Sequence, residues 1–220
     1  MNTRTFKIVA FTSMVLMLLA PSFSFAKAKE GTVQLTLKGV ELRLALRDLW
    51  QGHIFWVRNV VLMTKLGDKE AAKVAEEQVV QNAKEIASSV VPYYGKEAGD
   101  KLFTLLAGHY GAVKDSMNAV YSGNKQAEMA AMDKMTKNAD EIATSLSSAN
   151  PKNWPKETLV SALAAHAGFH MAQINEINAK NFSAEAKTWT GMKKQVNEIA
   201  DVLANGIIKQ FPQRFKEGTV

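Results

Sequence analysis

The sequence predicts an all-α fold, an up-down helical bundle of three duplicated antiparallel helical hairpins with about six helices. Three observations predict it. A histidine segment occurs three times, closing on Leu49-Trp50-Gln51-Gly52-His53, Leu105-Leu106-Ala107-Gly108-His109 and Ala162-Leu163-Ala164-Ala165-His166, with Leu46, Leu102 or Leu159 seven residues before each histidine. A Glu-Ile-Ala segment then follows at Glu85, Glu141 and Glu198, each 32 residues after its histidine and three after an amide residue, Asn82, Asn138 or Gln195. Helix breakers separate these marks, and β-type alternation is confined to Thr32 to Leu37. Self-similarity at a fixed period signals one supersecondary unit used repeatedly.

The elements follow in chain order. Residues 1–26 carry Arg4 and Lys7, an apolar run from Ile8 to Ala20, and the small-residue exit Ser24-Phe25-Ala26. That is the three-part layout of a secretory signal peptide, and the run is shorter than the ~20 residues of a membrane span. The expectation is an extracytoplasmic protein, secreted or periplasmic after cleavage. Residues 27–40 read as an extended N-terminal segment. Residues 41–215 read as a single helical domain with repeats 41–95, 98–150 and 156–212, and 216–220 as a tail.

Within each repeat the first helix carries apolar residues seven, four and three positions before the histidine. At 100° per residue these place the histidine near the centre of the buried stripe. In the second helix Val79, Met135 and Met192, with Ile86, Ile142 and Ile199, mark the apolar face. The amide lies near its margin and the glutamate further out. Gly67-Asp68, Ser122-Gly123-Asn124 and Asn181-Phe182-Ser183 supply the turns inside hairpins. Pro92-Tyr93-Tyr94-Gly95 and Asn150-Pro151-Lys152-Asn153-Trp154-Pro155 oppose helix continuation between them.

Composition narrows the chemistry. The chain has no cysteine, which removes disulfides, thiolate zinc sites, iron–sulfur clusters and thiol nucleophiles together. Its formal charge is +6, with lysine and glutamate interspersed and no long basic run, so no nucleic-acid partner is expected. Weak contact with an anionic envelope surface is compatible with that charge, and no protein partner can be named from it.

The segments Trp50-x-x-His53-x-x-Trp56-x-Arg58, Pro92-Tyr93-Tyr94-Gly95, Asn138-Ala139-Asp140-Glu141-Ile142-Ala143, Asn150-Pro151 with Trp154, and Gly206-Ile207-Ile208-Lys209-Gln210-Phe211-Pro212 together resemble a family of small secreted bacterial helical proteins without an established activity. The resemblance spans nearly the whole chain after the first 26 residues and implies an exported helical protein. Some members are labelled glycosyltransferase or acetylglutamate kinase. The residues support neither label, since the chain has no strand–Gly-rich loop–helix unit to cradle a phosphate. Gly108 stands where the family pattern has a larger polar residue.

The candidate metal ligands are His53, His109, His166 and His170. The last two sit at i and i+4, the spacing by which one helix face chelates an ion. Three imidazoles meeting on a common axis suit zinc, copper or iron, with haem the weaker candidate. Asn82, Glu85, Asn138, Glu141, Gln195 and Glu198 are the candidate supports that orient the imidazoles, and Trp50, Phe55 and Trp56 the candidate aromatic lining. The function expected is an exported binding protein that coordinates a metal ion or another small ligand. Two alternatives stay open. One is a structural or interaction module of the cell envelope whose histidines are each satisfied inside their own hairpin; the other is a metal-dependent redox enzyme. Neither a catalytic triad nor a nucleophile elbow is present to favour hydrolysis.

Overall fold

Local signals in the chain set each helix boundary. The computed structural model describes residues 36–216, which form α1 (Leu37–Leu66), α2 (Lys69–Tyr94), α3 (Lys96–Ser122), α4 (Lys125–Ala149), α5 (Lys156–Asn178), α6 (Phe182–Gln210) and a short 3-10 turn, Pro212–Phe215. The signal-peptide expectation for 1–26 and most of the tail lie outside these residues.

Thr36, Asp68, Asn124 and Asn181 each accept a hydrogen bond from the backbone N–H three residues on, so a side chain satisfies one of the free donors at the start of α1, α2, α4 and α6. Inside the first two hairpins the chain reverses through Gly67 and Gly123 at φ 80° and 69°, where glycine avoids the steric penalty of a Cβ. In the third hairpin Lys180 takes the corresponding left-handed conformation at φ 56°.

Two boundaries differ from expectation. The segment read as extended up to residue 40 becomes helical at Leu37, because the Thr36 cap opens the helix four residues early. Pro92 lies inside the last turn of α2 instead of ending it. So near the C-terminus the ring interrupts little of the helix, and Gly95 makes the whole connection to α3.

The six helices pack as an up-down bundle in which each lies against its sequence neighbours and α6 returns to α1. The α6–α1 seam is polar, with Arg47 donating two hydrogen bonds to Asp201, Arg43 donating to Asn205, and Gln51 donating to Asn197. The odd-numbered helices run parallel and turn inward toward one another. α5 packs on both α1 and α3, and Tyr121 of α3 donates to the Val61 carbonyl of α1 at 2.8 Å.

One end of the bundle is closed by aromatics. Tyr94 packs on Trp154 and Phe211, Tyr94 donates to Gln210, and Trp154 donates to the Val202 carbonyl. No helix among the described residues is long and apolar enough to cross a membrane.

Two apolar clusters among the described residues pack at different heights along α2 and α3. One gathers Ala83, Ile86, Val90, Leu102 and Leu106; the other gathers Val57, Val61, Val79, Val113, Met117, Met135 and Ile174. Along α2 and α3 the buried residues between these two clusters are Asn82 and His109. The core therefore contains a polar layer between two dry ones, and every histidine of the described chain belongs to it.

Candidate metal centre

The polar layer follows from helix geometry. A residue seven, four or three positions before a histidine shares its face, so burying the leucine stripe of α1, α3 and α5 carries His53, His109 and His166 inward with it. The exposures of the three are 6%, 6% and 1%. His170, one turn beyond His166, is exposed by 1%. The equivalent positions on α1 and α3 hold valines, Val57 and Val113, both in the core, so the fourth imidazole replaces an apolar contact.

The four side chains converge. Each offers a ring nitrogen such that all four nitrogens lie within 4.8 Å of one another, and no aspartate or glutamate joins the group among the described residues. The ring centres of His166 and His170 are 4.5 Å apart. The remaining separations are 5.5 Å for His53–His166, 5.6 Å for His53–His170, 5.9 Å for His109 with either His166 or His170, and 6.1 Å for His53–His109. Histidines more than a hundred residues apart in sequence thus meet at one point.

Each hairpin supports its own histidine in a related way. Asn82 donates to the Leu49 carbonyl, Asn138 to the Leu105 carbonyl and Gln195 to the Ala162 carbonyl, at 2.9, 3.0 and 2.8 Å. In every case the acceptor lies four residues before the histidine. With its NH₂ committed there, each amide has its oxygen left to accept a further hydrogen bond. The contact is completed in the third hairpin, where Nδ1 of His166 stands 3.1 Å from Oε1 of Gln195. That bond needs the proton on Nδ1 and leaves Nε2 of His166 with a lone pair. Nε2 of His170 lies 3.0 Å from that nitrogen, the reach at which its own N–H donates to the lone pair.

The other hairpins are left incomplete. The side-chain oxygens of Asn82 and Asn138 have no hydrogen-bond partner, and neither ring nitrogen of His109 has one. Buried polar atoms are normally paired, so four unpaired ones in this layer, two amide oxygens and the donor and acceptor nitrogens of His109, are unusual for a dry core.

Backbone space explains why the amides differ. A Cβ on Gly52 would stand 3.1 Å from the Asn82 nitrogen, and one on Gly108 would stand 3.2 Å from that of Asn138. A short asparagine therefore sits over a glycine in each of these hairpins. The third has Ala165 at the same place and the longer Gln195 opposite. The glycine at position 108, read from sequence as a departure from the family pattern, makes room for Asn138.

Burial holds the imidazoles neutral. His109 is lowered from 6.5 to about 4, chiefly by desolvation, with the nearby Asn138 amide offsetting part of the fall. His166 is lowered to about 3 by desolvation and by the neighbouring His109. His53 and His170 fall well below the ordinary histidine value for the same two reasons, burial first and adjacent imidazoles second. Neutral imidazole is the form that binds metal.

The remaining candidates divide. Trp50 does line the cluster, edge-on to His53 and to His166 with ring centres 5.9 Å from each. Phe55 does not. It lies two residues from His53, about 200° around the helix, and is 46% exposed. Trp56 packs against the apolar cluster below and against Phe55.

Glu85 and Glu141 are exposed, with Glu85 accepting from Gln81, and Glu198 faces Lys194 at the surface. The carboxylate supports expected at these three positions are therefore replaced by the amides alone, because the glutamates sit beyond the edge of the buried face.

Sequence reasoning missed one buried carboxylate. Glu185, 2% exposed, receives two hydrogen bonds from Arg58, at 2.6 and 2.9 Å, and one from Gln173 at 3.0 Å. Arg58 holds its carboxyl below the usual carboxylate range. Gln173 lies one turn past His170, which places this ion pair directly beyond the histidine layer. The chain matches no protein-family model, no curated protein and no solved structure.

Proposed function

We propose that this protein binds one transition-metal ion through His53, His109, His166 and His170, and that it does so outside the cytoplasm. The observation that carries the reading is the convergence of four buried imidazole nitrogens within 4.8 Å, one ring of which has no partner for either nitrogen. An ion would provide the missing partner. Imidazole suits zinc, copper and iron and gives magnesium or calcium little, since those ions take oxygen ligands. A haem fits less well: a macrocycle takes axial ligands from opposite faces and needs its equator clear, whereas here four rings surround one point. The export part of the proposal rests on the layout of residues 1–26, and the absence of cysteine is compatible with it.

The alternative of purely architectural histidines is favoured by one observation, the His166–Gln195 and His166–His170 contacts, which satisfy part of the cluster internally. Thermal unfolding separates the two. At a free Zn²⁺, Cu²⁺ or Fe²⁺ concentration 100 times Kd, native-state binding adds about 2.7 kcal/mol, which raises the Tm of a domain this size by roughly 5–11 °C. Elemental analysis of the protein purified from its own source should show close to one ion per chain. A melting curve unmoved by all three ions, with no copurified metal, overturns the proposal in favour of the architectural reading.

A further inference from the structure

The six separations between ring centres fix the shape of the histidine group. Four points on a square give four equal edges and two longer diagonals. Here five separations fall between 5.5 and 6.1 Å and one, His166–His170, is 4.5 Å. With His53 and His109 6.1 Å apart, a planar arrangement would set His166 and His170 either nearly on top of each other or far across from each other. Their actual spacing lifts them out of any common plane. The figure is a tetrahedron with one short edge, and that edge is the pair held one turn apart on a single helix.

Size sets how far the rings must move. An ion about 2.0–2.1 Å from each of four nitrogens sets the ring centres of a tetrahedral complex about 5 Å apart. Five of the six observed separations exceed that by about 0.5–1.1 Å, and His166–His170 falls about 0.5 Å short of it, so the rings of His53 and His109 must close inward on the ion as it binds. Its composition adds a second constraint. All four donors are uncharged, no carboxylate among the described residues belongs to the group, and the buried carboxylate of Glu185 is already matched by Arg58.

We infer that this is a closed tetrahedral seat for a d¹⁰ ion, Zn²⁺ or Cu⁺, with all four coordination positions filled by protein. The inference rests on the metal-binding reading and specifies its ligand class. Ions whose d-electrons favour square or tetragonal fields, Cu²⁺ and Ni²⁺, lose that preference here, while d¹⁰ ions have none to lose. A filled shell of ligands also leaves no position for a substrate, so the site holds an ion without turning a substrate over. Between the two d¹⁰ ions, neutral donors in a desolvated core favour the lower charge of Cu⁺.

Substitution of Co²⁺ provides the test, with the full chain as it is purified. A tetrahedral Co²⁺ centre lacks inversion symmetry and absorbs strongly in the visible, whereas a six-coordinate one is pale. The expected results are an intense visible band for the Co²⁺ form and X-ray absorption of the Zn²⁺ form showing four nitrogen neighbours with no water oxygen. Chelator competition should also give tighter binding of Cu⁺ than of Zn²⁺.

The variant His170→Val supplies the control, since valine already occupies the equivalent positions on α1 and α3. It should weaken Zn²⁺ binding by at least about tenfold, the lower end of what even an indirect ligand support costs, and admit an oxygen ligand seen by the same X-ray measurement. A pale six-coordinate Co²⁺ form, or water on zinc in the unaltered protein, overturns the closed tetrahedral seat while leaving metal binding intact. Tighter binding of Zn²⁺ than of Cu⁺ overturns the preference for the lower charge. Binding of no ion at all overturns both readings.

Discussion

His109 is the residue at which stability and binding pull apart. Its ring is buried with both nitrogens unpartnered, and an unsatisfied buried polar group costs about 1–3 kcal/mol. His109→Leu, similar in volume, should therefore stabilise the metal-free protein by that amount in urea unfolding with a chelator present, while removing most of the stabilisation by added Zn²⁺. A loss of stability in the metal-free state would mean that the ring is satisfied after all. Arg58 is the opposite case. Truncation to alanine strands Glu185, whose side chain is only 3% exposed, and should cost roughly 3–5 kcal/mol in the same assay. Replacing both partners with apolar residues should recover most of it.

The two residues also differ in how far the sequence revealed them. Spacing alone brought out His109, because a polar residue that recurs at one place in a leucine stripe is carried into the core along with the leucines. Glu185 sits in the first turn of α6, where acids commonly face the helix dipole, and no pattern within that helix separates a solvated acid from one gripped by an arginine 127 residues away. Phe55 could have been set aside by the angle argument that placed Trp50, since two residues along a helix lead to the far side.

Within the helices, the pairing of Gly52 with Asn82 and of Ala165 with Gln195 makes two hairpins natural controls for each other. Gly52→Ala crowds the Asn82 amide, and Asn82→Gln without that change overreaches it. Combining the two reproduces the arrangement of the third hairpin. A double-mutant cycle should show favourable coupling of about 0.5–3 kcal/mol, and additive effects would dissociate the glycine from the amide.

Two further glycines test packing against helix propensity. A Cβ on Gly206 would stand 1.9 Å from the Trp154 indole nitrogen, whereas Gly168 has open space. Gly206→Ala should destabilise by roughly 1–3 kcal/mol through overpacking, and Gly168→Ala should stabilise by up to about 1 kcal/mol. Thermal melts that rank the two variants the other way would refute overpacking at Gly206. Helix count, order and turns were legible in the sequence because capping and turn residues act locally. The Pro92 boundary was not, since a proline near a helix end and one beyond it look alike in sequence.

For the whole molecule, four buried neutral histidines couple folding to pH. An unfolded chain takes up protons on them near 6.5, while in the folded state His109 waits until about 4 and His166 until about 3. The unfolded state binds more protons throughout that interval, so stability is fully present above about pH 7 and is lost as pH falls toward 4, by several kcal/mol in total. Urea midpoints at pH 7.5, 6 and 5 should fall in that order, and equal midpoints would show that the imidazoles are not held neutral. Bound metal should delay the fall until protons displace the ion.

The convergence itself was only half legible. Spacing placed one histidine at the same height in each hairpin, but whether the rings met or faced their own partners depended on how the hairpins closed around an axis. That closure has a consequence for chain connectivity. Arg43 near the start of α1 bonds Asn205 near the end of α6, so the bundle is a loop of hairpins without a privileged first one. A circular permutant that links residue 216 to residue 36 and opens at Gly95 should fold and gather the same four imidazoles. The site belongs to the ring, and the order in which a ribosome delivers the hairpins is incidental to it.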